Sequence, residues 1–137
     1  MNDIVINKIQ SIQRCITRAR AEFNADPDGF ATNFTRQDAA VMNVLRACEQ
    51  SIDLANHLIK THKMGIPTSS SESFALLAEQ NVIENDLRQK LINMVHFRNM
   101  IVHQYQKMNI AIVQAVIETG LDDLIQLGDD IMTWTAK

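Results

Sequence analysis

Three stretches of this chain carry apolar residues at a spacing that an α-helix buries along one face. Val5, Ile9, Ile12, Ile16, Ala19 and Phe23 advance by 4, 3, 4, 3 and 4 residues. Val41, Leu45, Cys48, Ile52, Ala55 and Ile59 trace a second stripe, reaching roughly His62, and Leu87, Leu91, Met94, Arg98, Ile101 and Tyr105 trace a third. This period of three and four belongs to helices and not to the alternation of strands. Punctuation is sparse. Pro27 and Gly29 break the chain once, Gly65, Pro67 and Ser69-Ser70-Ser71 break it again, and a softer break falls at Lys107-Met108-Asn109. With 4 Gly and 2 Pro in 137 residues, a turn-rich sandwich or barrel is excluded. The spacing predicts an all-α, antiparallel up-and-down bundle of four long helices with one short helix inserted around Phe74, Leu77 and Ala78. One domain spans 1–137 at this length. Thr35 followed by Asp38 resembles a capping box opening the second helix. The third long helix starts at Glu84 or Asn85 and runs to about Tyr105. Asn109 is the expected N-cap of the last segment, which Gly120 kinks or splits.

The formal net charge is -3, so the molecule is no passive polycation, and any nucleic-acid contact must come from a local patch. Cys15 and Cys48 sit inside apolar stripes without metal spacing, which predicts buried free thiols. Met1-Asn2-Asp3-Ile4 lacks the charged and apolar regions of a signal peptide. No apolar run approaches the roughly 20 residues of a membrane span. The expectation is a cytoplasmic protein with no membrane partner.

The third helix holds an anomaly. Arg98 occupies a position that geometry assigns to the apolar face, and arginine is almost never fully buried unless paired. It must either snorkel at the core's edge or face a cleft or partner that supplies an anion. His96, Asn99 and His103 line a seam beside the stripe, and Tyr105 falls near the angular position of Arg98 if the helix persists that far. Imidazole moves protons near neutral pH, guanidinium grips phosphate through paired hydrogen bonds, and tyrosine adds a hydroxyl and a flat face. Residues 88–107 also hold Arg88, Lys90, Arg98 and Lys107 with no Asp or Glu, whereas the C-terminal segment carries Glu118, Asp122, Asp123, Asp129 and Asp130. A basic strip around the candidate site suits a phosphate-bearing ligand.

Plainer readings apply to the other polar residues. His57 and His62, five apart, do not share a helix face, so no metal site is expected. Glu49 and Asp53 border the second stripe, either as a solvated flank or as partners of Arg98 across the bundle. Trp134 reads as a packing residue.

The string Arg98-Asn99-Met100-Ile101-Val102-His103-Gln104-Tyr105 is R-x4-H-x-Y with a polar residue directly after the arginine. It resembles the signature of the HEPN superfamily, and specifically of the HepT-like toxins. Glu49 to Ile59 resembles that family's second helix, and Phe74 to Ala78 with Val82-Ile83 resembles its short-helix region. The resemblance implies a helical bundle that dimerises so that two motifs face a shared cleft. It implies a metal-independent endoribonuclease needing no cofactor, with Arg98 and His103 as the catalytic pair and Asn99 as their polar neighbour. Tyr105 would match the tyrosine that a cognate MntA-like nucleotidyltransferase antitoxin modifies with AMP. His96 lies outside the motif; together with Lys107, Glu49 and Asp53 it is a supporting candidate only.

On this reading His103 moves protons as an RNA 2′-hydroxyl attacks the adjacent phosphate, Arg98 holds that phosphate, and DNA resists. Two other classes stay open at this level. One is a non-catalytic helical subunit that binds a nucleotide or partner for a nucleotidyltransferase. The other is a structural dimerisation domain with Arg98 in an interfacial ion pair.

Overall fold

A computed structural model describes residues 3–137. Met1 and Asn2, part of the amino-terminal stretch read for a targeting signal, lie outside the described residues. The helices are α1 (Asp3–Asn24), α2 (Phe34–Thr61), α3 (Ser70–Glu79), α4 (Asn85–Gln104), α5 (Ile110–Ala115) and α6 (Asp122–Thr135). A π-helical turn, Val116–Gly120, joins α5 to α6, so the two form one bent rod. Four long elements and the short α3 make up the all-α bundle that the spacing predicts.

Side-chain links fix the antiparallel order. Arg20 of α1 reaches Asp122, while Ile9 lies where a Cβ on Gly128 would meet it at 3.4 Å. Met94 of α4 lies against Gly120, and Lys90 faces Asp123. Arg98 meets Glu49 and Tyr105 meets Asp38, so α4 runs against α2. The stripes supply the core: Val5, Ile12, Ile16, Ala19 and Phe23 from α1, Val41, Cys48, Ile52, Ala55 and Ile59 from α2, and Leu87, Leu91, Met94 and Ile101 from α4 are buried. Ile9 and Leu45 are half-buried at its margin. Both cysteines are buried and free.

The ends of the helices show where local chemistry acts. Asn109 caps α5, its side chain accepting from the amides of Ala111 and Ile112. The cap of α2 corrects the expectation. Asn33, extended at φ -100 and ψ 92, accepts from the amide of Arg36, and Thr35 already lies inside the first turn. An Asn in extended backbone meets the cap geometry by itself, so no Thr35–Asp38 box forms and Asp38 is free for another use. Both α2 and α3 end in Schellman turns, with Lys63 and Asn81 at positive φ; the amides of Met64 and Val82 return to the carbonyls of Ile59 and Leu77. The break at Gly120 is the π turn, in which the amide of Leu121 reaches back to Val116 at 2.8 Å. Arg20 braces it, donating from Nε to the Ile117 carbonyl at 2.9 Å.

Candidate functional site

The anomalous arginine is held at the edge of the core by two neighbours. Its Nη1 donates to Glu49 Oε1 at 2.6 Å, and its Nη2 donates to Ser70 Oγ at 3.3 Å. The Arg98 side chain retains 19% of its exposure and that of Glu49 retains 50%. The charge is therefore neither sealed in nor loose. A guanidinium has five N–H donors. Glu49 and Ser70 use one on each Nη, which leaves a second hydrogen on each nitrogen for an anion. Ser69-Ser70-Ser71, expected as loop, opens α3 instead: Ser69 caps it through the amide of Glu72 and Ser70 turns to Arg98. Asp53, one turn beyond Glu49, is exposed and takes no part in the Arg98 bonds.

The seam beside the stripe faces water. His96, Asn99 and His103 are exposed, and their side chains form no hydrogen bond with the described residues. Positions 98 and 103 of a regular helix differ by about 140° around the axis and about 7.5 Å along it. Arg98 is committed to α2 and α3, so His103 points elsewhere, and one chain by itself does not close Arg98 and His103 around a common point.

Tyr105 departs from the expected helix. α4 ends at Gln104, where φ is -137 and ψ 41, and Tyr105–Lys107 form a 3₁₀ turn. The turn carries the ring to α2, where its hydroxyl donates to Asp38 Oδ1. Tyr105 remains 39% exposed. Desolvation, then the hydrogen bond and charge of Asp38, push its phenol up to about 12. Lys107, at the end of the turn, is exposed. Asp38 and Glu49 lie eleven residues apart on α2, about 20° around its axis. Met42 lies between them on that face and Val102 between Arg98 and Tyr105 on α4; both are exposed apolar side chains, at 49% and 57%.

The basic strip needs correction. Lys90 pairs with Asp86 one turn away and faces Asp123 of α6, and Arg98 is paired with Glu49. Counting charges along α4 overstated its positive surface because α6 brings its acids to the same end. Cys48, beneath the Arg98 pair, is no nucleophile: burial, then the nearby Glu49 charge, push its thiol up to about 12, with Arg98 opposing. His62 meets Trp134 edge-on at 4.8 Å, a packing contact. Among the described residues no group of three or more His, Cys, Asp or Glu is placed to hold a metal.

Sequence reasoning missed Ser70 and Asp38. Nothing in the serine run marks Ser70. Asp38 carried a signal, since it shares a helix face with Glu49 and lies opposite Tyr105 once α2 and α4 are antiparallel.

Comparison with known proteins gives consistent findings. The family described as "Ribonuclease HepT-like" matches residues 12–131. A curated protein of Shewanella oneidensis, "mRNA nuclease HepT", is 45% identical over 131 residues, covering 96% of this chain and 98% of that protein. A solved structure of a tri-AMPylated Shewanella oneidensis HEPN toxin in complex with its MNT antitoxin superposes with a TM-score of 0.91 at 44% identity, covering 97% of this chain and 99% of that one. A tyrosine-to-alanine mutant of a toxin–antitoxin pair named MntA–HpeT gives a TM-score of 0.89 at 42% identity, covering 96% and 99%.

Proposed function

We infer the activity from one premise: the chain belongs to the ribonuclease HepT-like family. It is a ribonuclease, the toxin of a toxin–antitoxin pair, neutralised by AMP transfer from a nucleotidyltransferase antitoxin. The substrate, the residues and the assembly are our reading. The protein cuts RNA, with mRNA the first candidate because the curated relative carries that substrate in its name. The reaction belongs in the cytoplasm, with RNA and ATP at hand.

The observation that carries the mechanism is the Arg98 guanidinium, tethered by Glu49 and Ser70 with donors to spare. A phosphodiester docks on those donors. His103 takes the proton of the RNA 2′-hydroxyl, whose oxygen attacks the adjacent phosphorus. Arg98 stabilises the charge that grows on the phosphate oxygens. Asn99, one turn before His103, steers the imidazole or the phosphate, and Lys107 adds charge for the RNA backbone. His96 is a weaker candidate for the same task. The 5′-oxygen then leaves with a proton.

One imidazole cannot be acid and base in the same step, and it points away from Arg98 in the single chain. A symmetric homodimer answers both points by bringing Arg98 of one copy towards His103 of the other. Exposed Met42 and Val102 beside the site support an interface there, since apolar surface next to a polar cleft favours association.

Incubation of the purified protein with RNA in EDTA tests the reading. RNA is cut, and the same strand with a single 2′-deoxy nucleotide at the cleavage point survives there. Cutting of the deoxy strand or of the equivalent DNA at a comparable rate would overturn it.

A further inference from the structure

Attack by a phenol on phosphorus requires the proton to leave. The Tyr105 phenol is pushed up to about 12, so at neutral pH almost none of it is ionised. A group that takes the proton must be within hydrogen-bond reach of it. Asp38 is that group, since the Tyr105 hydroxyl already donates to Asp38 Oδ1. Asp38 forms no ion pair with the described Lys and Arg residues, so it can change protonation without breaking a salt bridge. It is exposed and can hand the proton on to water. His103, two residues from Tyr105, makes no hydrogen bond to it.

We propose that Asp38 is the general base for AMP transfer to Tyr105, so that the toxin supplies a catalytic group to the reaction that silences it. The inference rests on the reading that Tyr105 accepts the AMP. The Oη–H bond breaks and its proton passes to Asp38. Oη bonds to the α-phosphorus of ATP bound by the antitoxin. The bond from that phosphorus to the α–β bridging oxygen breaks, and its electron pair leaves with pyrophosphate. With its hydrogen directed at α2, Oη presents lone pairs on the opposite side, where a nucleotide can approach. A carboxylate taking a proton from an attacking hydroxyl is the arrangement protein kinases use.

The test mixes unmodified toxin with its antitoxin and ATP and follows the first AMP addition by intact mass. Asp38→Asn keeps the shape and an accepting oxygen but is not a base. It lowers kcat for AMP addition about 10²-fold or more, with KM for the toxin unchanged, and Asp38→Glu restores most of the rate. Parental kcat in Asp38→Asn, or a loss confined to KM, overturns the role of Asp38. Peptide mapping of the modified parent tests the premise separately: AMP on any residue other than Tyr105 removes it, whatever the Asp38 variants do.

Discussion

Replacing His103 with alanine abolishes RNA cleavage and leaves the fold intact. Removal of a general acid or base costs about 10²–10⁴ in rate. In the proposed homodimer one imidazole is the base and its twin the acid, so the substitution removes both and the expected loss falls toward the upper end. Stability is another matter. His103 is exposed on the last turn of α4 and makes no side-chain hydrogen bond with the described residues. A surface change of that kind moves stability by within about 0.5 kcal/mol. Arg98→Ala is a poorer probe, because it also strips Glu49 and Ser70 of their shared partner. Cleavage assays on His103→Ala, run beside a thermal melt, check the expectation. Undiminished cleavage would remove His103 from the mechanism.

Tyr105→Phe stays toxic when its antitoxin is present. The variant has no hydroxyl to receive AMP, so the antitoxin loses its chemical means of control. Losing the bond to the Asp38 carboxylate costs at most about 1.5–3 kcal/mol, less than the roughly 5–15 kcal/mol of an ordinary domain, so the toxin still folds. With Tyr105 as the proposed acceptor, AMP there would put a bulky phosphate two residues from His103. It also removes the hydroxyl proton that ties the 3₁₀ turn to α2. Growth of cells co-expressing the antitoxin with parent or variant decides the matter. Equal rescue of both would mean that binding alone neutralises the toxin, or that another residue is modified.

The bundle is legible because burial on one helix face forces a period, and the buried stripes keep it for 19 residues in α1 and α2 and for 15 in α4. Arg98 is legible for the same reason, as the one charge among the apolar positions Leu87, Leu91, Met94 and Ile101. Its partner Glu49 was one of two nearby carboxylates, and only the register of α4 on α2 chose it over Asp53. Thr35 and Asp38 match a local capping pattern, but the backbone is already helical at Thr35 and extended at Asn33, so the cap falls on Asn33. The local pattern does not reveal the role of Asp38, whose partner is 67 residues away. The surface charge of α4 depends on register in the same way, since only the packing of α6 brings Asp123 beside Lys90. The proposed assembly of two copies leaves only indirect traces in one chain, such as exposed Met42 and Val102.

The chemistry at the cut ends tests the mechanism most directly. When the RNA's own 2′-oxygen displaces the 5′-oxygen, the upstream fragment ends in a 2′,3′-cyclic phosphate and the downstream fragment begins with a 5′-hydroxyl. Mass spectrometry of the fragments from an EDTA-treated reaction should find those two ends. A 3′-hydroxyl opposite a 5′-phosphate would mean that water made the attack, and would contradict the roles of Arg98 and His103 in moving the 2′-hydroxyl proton and holding the phosphate.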